Sequence, residues 1–310
     1  MTIDLGVFLG PEDTPYETLR SRALICDDLG YHSLWVSDHL FGMYESPGSP
    51  RLECWTTVTA LASVTERVKL GQLTMATPFR NPALLAKMAA TLDVITGGRA
   101  ILSIGAGWHR GEFDGYGYRF GSTRSRWERL DEAARIIKLL WNEETPSFEG
   151  KHYSVEGAYC SPKPVQEPRL PLMIAGGGER LTLRTVARYA DMSNFAHWVG
   201  TPADFRHKVD VLRRHCERVG RDPDEIRKTW AAFVFIDERE EEAERKARAY
   251  FAKQDVEMPS MGLVGTPETM TDRLREYVEE GASLFILSFL GGDWEKDARL
   301  FRDEVYPNLR

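Results

Sequence analysis

The sequence predicts an α/β fold, a (β/α)8 TIM barrel with inserted loops and a hairpin, as one domain over residues 1–310. Two observations carry this reading. Eight short apolar segments alternate along the chain with stretches of helical spacing. The first of them lacks a G-x-G-x-x-G turn, and the glycine-rich turn Gly176-Gly177-Gly178 follows the fifth, which disfavours an open doubly wound sheet. A barrel of this type takes about 250 residues, so a chain of 310 has room for insertions.

Taken in order, residues 3–9 read as the first strand and 15–29 as an amphipathic helix that stops at Gly30. Ser33–Val36 is the second strand and runs into Ser37-Asp38-His39. Residues 53–66 are helical and 68–74 form the third strand. Pro82–Ile95 is a helix with proline at its start, ended by Gly97-Gly98. Residues 100–104 form the fourth strand, which enters Gly105-Ala106-Gly107-Trp108. Residues 124–141 are a long helix with Trp127, Leu130, Ala134, Ile137 and Leu140 at apolar spacing. Residues 146–171 break the rhythm with short strand-like pieces and prolines. No low-complexity tract flanks them, so they read as an inserted hairpin and loop. Leu172–Ala175 and 192–195 are strands five and six, followed by helices over 181–189 and Pro202–Val219. Strand seven covers 229–236, a charged helix 238–253, a loop 254–265 and a helix 267–280. Strand eight covers 283–289, and 294–304 closes the chain.

Composition narrows the class. Apolar residues make up 42% and charged residues 28%, ordinary for a soluble enzyme. A net charge of −7 argues against nucleic acid or an anionic membrane as partner. No apolar run has the length of a membrane span, and residues 1–10 lack a secretory signal pattern. Cys26, Cys54, Cys160 and Cys216 are far apart, with neither metal-ligand spacing nor disulfide density. A reduced, cytoplasmic protein with cysteines in its core is expected.

In a barrel, active-site residues lie where strands run out into the βα loops. That rule selects Gly10, Asp38 and His39, 74–77, 107–109, 176–180, 194–198 and 288–291. These positions contain no Ser-His-Asp set and no H-E-x-x-H, and their carboxylates are too sparse for a metal centre. The glycine turn ahead of a helix can cradle a phosphate on bare N–H groups, with Arg180 as a charged partner; the plain alternative is a turn that ends a strand. A glycine-opened pocket with aromatic walls suits a flat cofactor with a phosphate tail and a small-molecule substrate. His39 has two readings: an imidazole exchanging a proton beside that cofactor, or a side chain capping a loop. His109 and His197 also sit at strand exits and rank behind it.

Longer motifs carry a resemblance. They are Leu34-Trp-Val-Ser-Asp-His39, the run from Lys69 to Pro82, Leu92-Asp-Val-Ile-Thr-Gly-Gly-Arg99, Gly105-Ala-Gly-Trp108 and Ile174-Ala-Gly-Gly-Gly-Glu-Arg180. In this order they resemble the bacterial luciferase-like superfamily of flavin and deazaflavin enzymes, and within it the F420-dependent branch. Pro162-Lys-Pro-Val-Gln166 and Gly265-Thr-Pro-Glu-Thr-Met270 fit that branch too. The resemblance implies a (β/α)8 barrel, F420 as cofactor with FMN as the alternative, and a homodimer paired through barrel helices. It implies that Gly176, Gly177 and Gly178 hold the cofactor phosphate, with Glu179 and Arg180 in the same turn. A non-prolyl cis peptide at Leu73–Thr74 would bulge against the ring system. His39 would lie over its reactive part, with Asp38 adjacent, and Gly107 and Trp108 would line the pocket. Glu53, Trp108 and His109 would face the substrate.

One position departs from the sugar-phosphate dehydrogenases of that branch, which carry a glutamate directly after the Gly-x-Gly turn of strand four. Here it is Trp108, and the next acid is Glu112. Without a second proton-transfer group, reduction of an activated C=C, C=N or nitro group is expected over alcohol oxidation. A two-component FMN monooxygenase and a barrel that binds cofactor without turnover are the other readings. Loops 41–51, 111–121 and 254–262 read as mobile lids that set the substrate.

Overall fold

The computed structural model describes residues 2–43, 46–195, 200–254 and 262–309. The chain runs β1 (Asp4–Phe8), α1 (Tyr16–Asp28), β2 (Ser33–Val36), α2 (Cys54–Ala62), β3 (Lys69–Gln72), β4 (Met75–Ala76), α3 (Pro82–Ile95) and β5 (Leu102–Gly105). It continues through α4 (Arg110–Gly115), α5 (Thr123–Asn142), β6 (Phe148–Glu149), β7 (Ser154–Val155), β8 (Leu172–Ala175), α6 (Thr182–Tyr189) and β9 (Met192–Asn194). The last part is α7 (Pro202–Val219), β10 (Arg227–Ile236), α8 (Glu240–Gln254), β11 (Gly262–Gly265), α9 (Pro267–Glu279), β12 (Ala282–Phe289) and α10 (Trp294–Leu300).

The strands pair in the order β3-β2-β1-β12-β10-β9-β8-β5-β4. Every pairing along this path is parallel. Strands β3 and β4 are two halves of one barrel strand, so the path begins and ends on the same strand and the barrel closes. A parallel bridge between Leu70 and Ala100 helps to join the ends. The TIM-barrel expectation is met. The break between β3 and β4 falls at Leu73–Thr74, whose peptide bond is cis.

Barrel strands are covered on both faces, so they read as apolar runs. All of β2 and β12 is buried. Inside the barrel, Trp35, Ile101, Met173, Met192, Ala231, Leu284 and Ile286 pack together with Phe8 and Leu73. The indole of Trp35 needs glycine neighbours: a Cβ on Gly6 or Gly71 would stand 2.6 or 2.5 Å from it. A larger cluster fills the layer between strands and helices and reaches from Ile3 to Leu309. Asn81 accepts the amides of Ala83 and Leu84 and so starts α3 ahead of Pro82. Gly220, left-handed at φ +66°, ends α7.

Two elements were not expected from the sequence. Strand β11 lies in the stretch read as a loop and pairs with the outer half of β10, Phe233 to Ile236. Its sequence, Gly-Leu-Val-Gly, offers two apolar residues between glycines, too short a period to read. Helix α4 is six residues with two glycines, a composition that sequence reading gives to loops. Residues 146–171 do hold a hairpin, with Phe148 opposite Val155. It is tied to α5 by Glu132, which accepts the amides of Lys151, His152 and Tyr153. The closing stretch 294–304 is helical only to Leu300 and then widens into a π-turn. Among the described residues, no helix is long and apolar enough to cross a membrane.

Candidate active site

The site lies at the carboxyl ends of the barrel strands. Asp38, at the exit of β2, is wholly buried. It accepts the Ala76 amide at 2.9 Å and a bidentate pair from Arg80 at 2.8 and 2.9 Å. Burial pushes the Asp38 carboxyl up, and Arg80 with the amide opposes it. The Arg80 guanidinium also reaches Glu53 at 2.5 Å. Glu53 in turn accepts the Trp55 and Thr56 amides at 3.0 and 2.7 Å and caps α2. Asp38 is therefore a clamp that ties the exit of β2 to β4 and to Arg80. Glu53 thus caps α2 and pairs with Arg80, while its side chain stays 40% exposed.

His39 is different. Its side chain keeps 23% of its surface exposed, while that of Glu112 keeps 2%. His39 Nδ1 donates to Glu112 Oε2 at 2.9 Å. The other carboxylate oxygen accepts the amides of Leu40 and Phe41 at 2.5 and 3.2 Å. Burial disfavours the charged carboxyl, but His39 and the two amides outweigh it and hold Glu112 below the usual carboxylate range. With Nδ1 taken by the carboxylate, the other ring nitrogen, Nε2, is left for chemistry.

Gly107 explains how Glu112 arrives there. Its φ is +73°, and a Cβ on it would stand 2.7 Å from the Phe113 ring. Phe113 is fully buried and packs on Phe79 at 4.9 Å. That contact seats α4 over the strand exit and turns the preceding residue, Glu112, toward His39. Trp108 stands 57% exposed, edge-on to His39 at 5.7 Å. His109 lies edge-on to Trp108 at 5.3 Å. The loop after His39 is fixed by a second buried pair: Arg51 donates to Glu12 at 2.6 Å, to Phe41 O at 3.1 Å and to Ser37 at 2.8 Å. Below the same mouth, Thr74 touches the hydroxyl of Ser103, and a Cβ on Gly105 would stand 2.8 Å from Thr74.

The glycine turn lies on the same face, after β8. Gly176 has φ +133° and its amide is spent on Asn194 O at 2.8 Å, which corrects its expected use as a phosphate donor. A Cβ on Gly177 would stand 2.9 Å from Phe195 O, and one on Gly178 2.8 Å from Thr182 Oγ1, so both positions require glycine. Among the described residues, no acceptor faces the amides of Gly177 and Gly178, and α6 begins without a side-chain cap. Glu179 points at α7, where Lys208 and His207 meet it at 2.6 and 3.0 Å and hold its carboxyl below the usual range. Arg180 is exposed. Free amides at a helix start fit a cofactor phosphate, and a part-exposed imidazole across the barrel mouth fits its reacting end. His197 lies outside the described residues, as do residues 44–45 and 255–261 of the expected lids. No group of three or more His, Cys, Asp or Glu among the described residues is placed to hold a metal ion. Sequence reading missed Glu112 as the partner of His39, and Arg80 and Lys208 altogether; for Glu112 the only signal was an acid just past the Gly-Ala-Gly turn.

The sequence profile described as luciferase-like monooxygenase matches residues 2–260. An F420-dependent glucose-6-phosphate dehydrogenase of Kineococcus radiotolerans is 30% identical over 334 aligned positions, covering 99% of this chain and 97% of that one. A pyrimidine monooxygenase of Stutzerimonas stutzeri is 30% identical over 260 positions, 82% of this chain and 70% of that one. The solved structure of an F420-dependent secondary alcohol dehydrogenase with an F420-acetone adduct superposes with a TM-score of 0.87 at 21% identity, all of both chains being covered.

Proposed function

We propose, from the premise that this chain belongs to the luciferase-like monooxygenase family of oxidoreductases, that it passes a hydride between F420 and a small organic substrate. The observation that carries this reading is the His39–Glu112 pair at the barrel mouth. A deazaflavin, when bound, supplies two electrons as a hydride; the protein must then supply or remove a proton. His39 does so at Nε2, because Glu112 fixes the opposite nitrogen as the donor. Gly177 and Gly178 hold the cofactor phosphate through their amides, and Trp108 covers the reacting face.

Glu112 revises the argument about direction. The acid absent at position 108 is recovered four residues later, but it stands behind His39 and is closed to substrate. Of this pair, His39 is therefore the side chain that meets the substrate with a proton. That arrangement favours reduction of an activated C=C, C=N or nitro group, even though a relative of similar length is a sugar-phosphate dehydrogenase. The test is anaerobic turnover of reduced F420 with a panel of enones, imines and nitroarenes. Oxidation of F420 by at least one of them is expected. Turnover only with reduced FMN and dioxygen would favour the second reading, a two-component monooxygenase, which the pyrimidine monooxygenase relative supports.

Homodimerisation through barrel helices belongs to the same proposal. Leu84 and Ile95, 57% and 61% exposed on α3, are apolar surface that a partner would cover. Light scattering on the purified protein tests it, a dimer mass being expected. A reducing, cytoplasmic location fits the four free buried cysteines.

A further inference from the structure

Glu112 stands between two imidazoles. Its Oε2 takes the His39 hydrogen bond at 2.9 Å, and His109 Nδ1 lies 3.7 Å from that same oxygen. The His109 nitrogen is buried and has no hydrogen-bond partner. Buried polar atoms nearly always find one, so an orphan in a site calls for a reason. Gly111 makes room for the ring: a Cβ there would stand 3.1 Å from His109 Cε1. The gap of 3.7 Å is too long for a hydrogen bond. It is short enough for a ring rotation to close, and the His109 side chain is 32% exposed.

We propose that His39, Glu112 and His109 form a proton relay from the reacting atom to solvent, with His109 as its outer station. This rests on the reading of His39 as the proton-exchanging group. A proton taken from the substrate side arrives at His39 Nε2. The Nδ1 proton of His39 moves to Glu112 Oε2 and from there to Nδ1 of neutral His109. His109 then releases its Nε2 proton to water. One proton enters, one leaves and no electrons move; both imidazoles end in the opposite tautomer, and from that state, with the proton on His39 Nε2, reduction of a substrate runs the same hops in reverse. The relay has a use because a cofactor and substrate seated at the mouth deprive His39 of water. Trp108, packed edge-on against both imidazoles, closes the side between them.

The relay is testable in the cofactor-free protein by NMR with 15N-labelled histidine. H39Q and E112Q assign the His39 Nδ1 proton, and its exchange with water is then measured. In H109F, and in H109Q, that exchange is expected to slow by at least about tenfold, and added free imidazole, a diffusible shuttle, is expected to restore it. Exchange at the wild-type rate in both variants would overturn the relay while leaving the His39–Glu112 pair intact. Nitrogen shifts that place the His39 proton on Nε2 in the wild type would instead overturn the pair, and with it the reading of the site.

Discussion

His39 Nδ1 lies 2.9 Å from Glu112 Oε2 across 73 residues of sequence, and this bond joins the exit of β2 to helix α4. It fixes the tautomer of a part-exposed imidazole at the barrel mouth. Removing the carboxylate charge while keeping its shape is therefore the sharpest perturbation. In Glu112→Gln, turnover is expected to fall by about a hundredfold or more, with cofactor affinity nearly unchanged. Steady-state kinetics beside a binding titration reads both.

The same residue makes stability depend on pH. The folded protein holds Glu112 below its ordinary value, so its contribution is fully present above about pH 4.3, the unfolded value, and is lost as pH falls through the folded value. Wild type and Glu112→Gln are expected to differ by about 1–3 kcal/mol in unfolding free energy at pH 7. The gap should narrow below pH 4 in urea titrations; a gap independent of pH would contradict the assignment of charge.

Arg80 is the only cation bonded to the buried Asp38 carboxylate among the described residues. Arg80→Met leaves that charge unpaired and should destabilise the protein by about 3–5 kcal/mol. The double variant Arg80→Met/Asp38→Asn should recover part of the loss. Thermal or denaturant unfolding of these two variants and of Asp38→Asn closes the cycle.

Gly177 faces a carbonyl, not a flexible side chain, since its missing Cβ would stand 2.9 Å from Phe195 O. Gly177→Ala must shift the turn. Binding of a phosphate-bearing cofactor is expected to weaken by about tenfold, roughly the worth of one charge-assisted hydrogen bond. Its phosphate-free riboside should bind the variant as it binds the wild type.

Trp108 is 57% exposed, so its truncation should scarcely touch stability. In Trp108→Ala the unfolding free energy is expected to stay within about 0.5 kcal/mol, while KM for substrate rises. A Tm lowered by many degrees with an unchanged KM would make the indole a packing residue.

The barrel was legible because each strand is buried on both faces and each is punctuated by glycine or proline. Ser33–Val36, Pro82–Ile95, Leu172–Ala175 and Pro202–Val219 fall where the pattern puts them. The strand at 68–74 is instead broken at Leu73–Thr74 and resumes to Ala76, a backbone event with no period to read. The site was half legible. His39 and the glycine turn announce themselves by residue type at strand exits. Glu112 does not, because its aim depends on Phe113 packing against Gly107, a tertiary contact within a short glycine-bearing helix. Asp38 looked functional by position, and only the long-range partner Arg80 reveals a clamp. Gly176 belonged to the phosphate pattern, but its amide continues the sheet.

The most direct test of the account is a fluorescence titration of the purified protein with F420 and, in parallel, with FMN. Saturable binding of F420 at lower concentration than FMN is expected, weakened by Gly177→Ala and little changed by Glu112→Gln. Tighter binding of FMN would contradict the deazaflavin assignment and move the reaction to dioxygen chemistry on the same barrel.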